Sequence, residues 1–166
     1  MQLRAITSDE LPIVQTLARA IWPVAYGEIL SVAQIEFMLN KFYTLASLKE
    51  QQEQGQEFFV LEDSDVPIGY CAYEHQTDGQ TKLHKLYVLP DIQKKGAGRI
   101  MTEFVLAQAK AHGSHTLYLN VNRHNDALGF YKHLGFILRA EEHIPIGEGY
   151  WMEDYVLACA LSDKSL

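Results

Sequence analysis

Two cysteines in 166 residues leave no room for a disulfide framework. Cys71 and Cys159 lie in apolar, strand-like runs and read as small buried thiols of a chain kept in a reducing compartment. No apolar run approaches the ~20 residues that span a bilayer, and the N-terminus carries no apolar signal core. No Asn-x-Ser/Thr site occurs. These absences predict a cytoplasmic protein with no membrane partner. Positive charge is also scarce. Fourteen Lys and Arg against 21 Asp and Glu give a formal charge of −7, which argues against a general nucleic-acid binder. Repeats and linkers are lacking too, so 1–166 reads as one domain, with 48% hydrophobic residues to fill a core.

The scarce positive charge is not spread evenly. Lys82, Lys85, Lys94, Lys95 and Arg99 crowd into one short stretch, and that stretch carries the strongest pattern in the chain. Leu86-Tyr87-Val88-Leu89-Pro90 is a β-prone run stopped by proline. Asp91-Ile92-Gln93-Lys94-Lys95 is a polar loop, Gly96-Ala97-Gly98-Arg99 follows, and an amphipathic helical pattern starts at Ile100. The first N–H groups of a helix lack internal partners and carry partial positive charge. Glycines let an anion approach that backbone closely. The stretch reads as a pyrophosphate cradle. A Walker A loop would need Gly-Lys-Ser/Thr, but Arg99-Ile100 follows Gly98. A dinucleotide fingerprint would need a third glycine where Met101 stands.

Periodicity predicts a strand at 2–7, then a helix to about Ala20 with a capping box from Thr7 to Glu10. Leu11, Val14, Leu17, Ala18 and Ile21 share its buried face. Helices capped by Ser31 and Thr44 come next, with Ile35, Met38, Leu39 and Phe42 inward on the first of them. Strands are expected at 57–62, 67–76, 81–89, 115–122, 136–142 and 150–161, with a hairpin at Thr77-Asp78-Gly79. Helices are expected from the cradle to Ala111 and over 125–134, the latter closed by a left-handed Gly135.

A second segment matches the first. Leu117 to Asn122 alternates as a strand, and Ala127, Phe130, Tyr131 and Leu134 share a helix face. By themselves Tyr131 reads as a core tyrosine, and Asn122 and Asn125 as turn or cap residues. Together, Gln93-x-x-Gly96-x-Gly98 after a strand and Asn125-x-Ala127…Phe130-Tyr131…Gly135-Phe136 resemble the two diagnostic segments of the GNAT N-acetyltransferases. The family more often has Asn three residues before the Ala, where His124 stands here.

The resemblance implies a mixed, mostly antiparallel α/β (α+β) fold. About seven strands are flanked by helices, and the fourth and fifth strands splay apart. It implies acetyl-CoA as co-substrate, no metal, and direct attack of an amine on the thioester without a covalent enzyme intermediate. The pyrophosphate would sit on Gln93, Lys94, Lys95, Gly96, Ala97, Gly98 and Arg99. Backbone N–H groups of Leu86, Tyr87 and Val88 would hold the pantetheine arm and the thioester oxygen, with Asn122, Asn125 and Tyr131 also at the cofactor. Tyr131 would return a proton to the leaving thiolate. For the base, His84 and Glu74 are rivals. The strand around His84 is similar to that of arylalkylamine N-acetyltransferases, but Lys82 replaces the first of their two histidines.

Trp22, Tyr26 and Glu28 are expected to line the acceptor side. Trp22-Pro23, Tyr26-Gly27 and the final Tyr150-Trp151-Met152-Glu153-Asp154-Tyr155 resemble PaiA-type polyamine acetyltransferases. Core packing is the plainer reading for at least one of Trp22 and Trp151. The acceptor is then a small primary amine, polyamine-like or otherwise. Acetylation of a protein or peptide amino group, and a silent acyl-CoA sensor, are the alternatives. A homodimer through the C-terminal strands is expected from the resemblance alone.

Overall fold

The computed structural model describes residues 1–161, with the side chains of Gln93 and Lys94 outside the described set. Strands are β1 (Gln2–Ala5), β2 (Glu57–Asp63), β3 (Val66–His75), β4 (Gln80–Val88), β5 (Thr116–Asn122), β6 (Ile137–Gly147) and β7 (Tyr150–Ala160). Helices are α1 (Leu11–Tyr26), α2 (Val32–Phe42), α3 (Leu45–Glu53), α4 (Ala97–Ala111) and α5 (Ala127–His133). The strands form one seven-stranded sheet in the order β1-β2-β3-β4-β5-β7-β6. β4 and β5 run parallel, whereas β1–β2, β2–β3, β5–β7 and β6–β7 are antiparallel. The parallel ladder runs from Gln80↔Thr116 to Leu83↔Leu119, while β4 itself continues to Val88.

Two compact units divide the chain, the first Met1–Glu74 with His84–Val105 and the second His75–Leu83 with the chain from Leu106 onward. In the first, the predicted α1 face of Leu11, Val14, Leu17, Ala18 and Ile21 is fully buried. Each Leu, Val and Ile side chain among them contributes about 1.5–3 kcal/mol by leaving water. Ile35, Met38 and Leu39 of α2 join it, and Tyr43 rather than Phe42 completes the row. In the second, Leu117, Leu119 and Val121 of β5 are buried with Leu157, Tyr131 and Phe136. Tyr118, Asn120 and Asn122 alternate to a half-exposed face.

Ser31 and Thr44 cap as expected, accepting from Gln34 N–H and Ser47 N–H at 3.1 Å. The capping box at Thr7 does not form. Residues Ser8–Glu10 are a 3-10 turn, and the Glu10 carboxylate instead pairs with Arg4. The first helix does not stop at Ala20. It runs through Pro23 to Tyr26, because Trp22 and Tyr26 extend its buried stripe beyond the proline. Among the described residues no helix is long and apolar enough to cross a membrane.

Candidate acetyl-transfer site

The strand–turn–helix at 86–99 has the geometry of an anion cradle. Leu89 N–H donates to Ile68 C=O at 2.9 Å, fixing the end of β4 against β3. A 3-10 turn over Pro90–Lys95 then swings the chain to Gly96, whose φ of +79° is left-handed. Glycine adopts that conformation without the Cβ clash other residues meet. A Cβ there would meet none of the described atoms within 4 Å, so the described residues leave the space above the turn open. Ile100 N–H closes the first helical bond to Gly96 C=O at 3.1 Å. The amides of Ala97, Gly98 and Arg99 precede it, the groups that no helix can satisfy internally. Ala97, Met101 and Val105 are fully buried and anchor this helix end. Thr102 Oγ1 donates to Gly98 C=O at 2.8 Å. Lys95 is exposed, and Arg99 is bound to Glu103 at 2.7 Å, so part of its charge is already matched. The Gln93 and Lys94 side chains lie outside the described residues. The open left-handed turn and its leading amides fit a diphosphate.

Within β4 the pairing with β3 changes step. Gln76 N–H donates to Gln80 C=O, whereas Leu89 N–H donates to Ile68 C=O, so the two ends are out of register by one residue. The burial phase of β4 changes too: Thr81 and Leu83 are buried, then Val88. Beside this irregular stretch Gly69 lies so close that a Cβ would fall 2.7 Å from Tyr87 C=O. Here too stands His84, whose Nε2 meets Glu74 Oε1 at 2.8 Å with both side chains about a quarter exposed. The two rival bases are therefore one hydrogen-bonded pair. Lys85 Nζ donates to Gln51 at 2.5 Å and Gln56 at 2.8 Å.

The helical wall is aromatic. Trp22 is 5% exposed and its ring lies 4.7 Å from Tyr26, 5.4 Å from Tyr43 and 5.6 Å from Tyr87. Its indole N–H donates to Tyr70 Oη at 3.3 Å, and Tyr70 donates to Tyr43 at 2.7 Å. Burial pushes the Tyr43 and Tyr70 hydroxyls well above the usual phenol range. Trp22 is thus core packing. Tyr26 Oη lies 2.8 Å from Tyr87 Oη, and Glu28 is exposed on the turn beyond.

In the second unit Tyr131 is 7% exposed, with Phe130 and Phe136 edge-on at 5.1 and 5.6 Å. Asn122 Oδ1 accepts from His124 N–H, and Asn125 Oδ1 from Ala127 N–H, both at 2.9 Å. Both asparagines therefore serve their own turn. Trp151 is not core. It is 43% exposed and stacks on His143 at 4.0 Å. A feature without a sequence signal is the Asn120 amide, which bonds Glu142 at 2.6 Å and Asp154 at 3.2 Å. Burial pushes the Asp154 carboxyl up, aided by the nearby Glu142 charge and opposed by the Asn120 bond. These three residues come from three strands, which no local spacing reveals.

Residues 15–136 match the model of the acetyltransferase (GNAT) family. The chain belongs to this family. It is an acetyl-CoA-dependent N-acetyltransferase. Among curated relatives, it is 27% identical over 117 residues to the L-amino acid N-acyltransferase MnaT of Escherichia coli, covering 67% of this chain and 68% of the relative. It is 26% identical over 121 residues to the [ribosomal protein bS18]-alanine N-acetyltransferase of Haemophilus influenzae, covering 72% of this chain and 82% of that one. Among solved structures it shares its fold with the PaiA N-acetyltransferase of Thermoplasma acidophilum in complex with coenzyme A. The TM-score is 0.80 at 21% identity, over 96% of this chain and 98% of the other.

Proposed function

We propose that this GNAT enzyme acetylates the primary amine of a small molecule. The paired Tyr26 and Tyr87 hydroxyls, with the exposed Glu28 beyond them, carry this reading, since they offer polar oxygens and a carboxylate to a compact cationic acceptor. The likeness to an acyltransferase of amino acids supports it. The acceptor is a polyamine-like molecule or another small amine. The likeness to a ribosomal-protein acetyltransferase favours a second reading, in which the acceptor is a protein or peptide amino group.

Acetyl-CoA supplies an activated thioester when bound. In this reading Gln93, Lys94, Lys95 and the Gly96–Arg99 backbone hold its diphosphate, and Asn122 and Asn125 contact the cofactor elsewhere while serving their turn. The N–H groups of Leu86, Tyr87 and Val88 steady the thioester arm and stabilise negative charge on its oxygen. His84 takes the proton that an alkyl ammonium must lose, and Glu74 orients its ring and balances the imidazolium. Tyr131 gives a proton to the sulfur. Positioning supplies much of the rate.

The two free thiols suit a reducing compartment, and the reading places the reaction in the cytoplasm. It also pairs two copies through the C-terminal strands: β6 is an edge strand with Ile137 and Leu138 exposed. Sedimentation at increasing concentration tests that pairing. Thiol release from acetyl-CoA with spermidine, free amino acids and an alanyl peptide tests the acceptor. Release with the small amines supports the proposal, and release with the peptide alone establishes the second reading.

A further inference from the structure

The turn between α1 and α2 is organised around one residue. Tyr26 ends α1, and its C=O accepts from both Ile29 N–H and Leu30 N–H at 2.9 Å. Its hydroxyl meets the Tyr87 hydroxyl at 2.8 Å. Tyr87 is held by packing, with its ring 5.6 Å from Trp22 and 5.4 Å from Tyr70. The Tyr26 ring is held by Trp22 at 4.7 Å and is 9% exposed. Two rings fixed by their neighbours thus present their oxygens to each other. The contact ties the turn Gly27–Leu30 to the strand segment His84–Val88. By resemblance to the family, Tyr87 acts through its backbone N–H alone. Its side chain does something different.

We propose that Tyr87 is a positioning residue for the acetyl acceptor: through the Tyr26 hydroxyl it fixes the α1–α2 turn, and Glu28 with it, at the height from which the amine meets the strand. This rests on the reading that the α1–α2 segment walls the acceptor site. The physical reason is the steep dependence of group transfer on placement, where a shift of ~1 Å can cost up to ~100-fold. Acceptors with a second cation, able to reach Glu28 while the first amine reacts, depend most on the turn's position. Monoamines depend on it less.

Tyr87→Phe keeps the ring and the backbone amide and removes only the oxygen. The expected result is a rise of about tenfold in KM for spermidine, the size of one net hydrogen bond, with the loss falling on KM more than on kcat. Tyramine is affected less. Amide hydrogen exchange across Gly27–Leu30, measured without acceptor, speeds up by about tenfold for the same reason. Tyr26→Phe gives the same pattern, and the double variant is no worse than either single one. Wild-type exchange in the turn, or a wild-type acceptor KM, overturns the proposal. If the wild-type enzyme accepts no amine or peptide, the acceptor reading itself falls, while the exchange rates still decide the Tyr26–Tyr87 link. A fall in melting temperature without a change in KM or exchange assigns the pair a purely structural role and overturns it equally.

Discussion

After β4 and again after β5 the chain passes from strand through a polar turn into a helix, and these two junctions treat their backbone amides in opposite ways. After β5, Asn122 and Asn125 carry their own acceptors and bond His124 N–H and Ala127 N–H. After β4, Gly96, Ala97 and Gly98 have no side chain able to do so, and the described residues leave the space above Gly96 open. A turn that caps itself is complete without a ligand. A turn built of residues too small to cap leaves its amides for an anion. In the proposed reading the diphosphate binds at the first junction, while the second positions Tyr131 and touches the cofactor elsewhere.

Filling the first junction breaks the comparison most severely. Gly96→Asp puts a side chain in a left-handed position and a negative charge into the cradle, and coenzyme A affinity by calorimetry should fall by more than about 100-fold. Affinity near that of the wild type removes the diphosphate from this turn. The second junction is expected to answer in rate. Tyr131→Phe should lower kcat by about 100-fold while calorimetry finds coenzyme A binding retained, within the usual range for losing a general acid. Unchanged turnover excludes it as the proton donor. Glu74→Gln tests the pair at His84. With the imidazolium no longer balanced, kcat/KM should drop by about tenfold at the pH of the wild-type maximum; no drop means that water removes the amine proton.

Smaller effects sharpen the contrast. Asn125→Ala removes the side-chain acceptor of a self-sufficient turn and should cost about 1 kcal/mol of stability in urea unfolding. An unchanged midpoint makes the Asn125 bond incidental. Asp154, in the second unit, gives the pH dependence. Its carboxyl is raised in the fold, so the native state holds a proton that the unfolded chain has released. Between the ordinary aspartate pKa and the raised one, stability therefore declines as pH rises. Asp154→Asn should raise the melting temperature at neutral pH and remove that decline, and an identical pH–stability curve contradicts it.

The legible features were those encoded locally. The strand–turn–helix at 86–99, the caps at Ser31 and Thr44 and the turn at Gly79 each depend on a few adjacent residues whose conformational demands are strong. The illegible ones needed partners from afar. The box at Thr7 failed because Arg4, paired to Glu10 and Glu62, took the acid it required. Helix α1 outran Pro23 because buried aromatic surface outweighed one lost backbone bond. Strand β6 continued past 142 through Pro145, which an edge strand tolerates. His84 and Glu74 read as rivals because no spacing rule shows that neighbouring strands bring them to 2.8 Å. The Tyr26–Tyr87 contact spans 61 positions and left no trace in any window.

The most direct test is a titration of 15N-labelled enzyme with coenzyme A, following backbone amide resonances. The account predicts large shifts at Gly96, Ala97, Gly98 and Arg99, absent when Gly96→Asp replaces the wild-type chain. Saturable binding that leaves those four amides unmoved contradicts it.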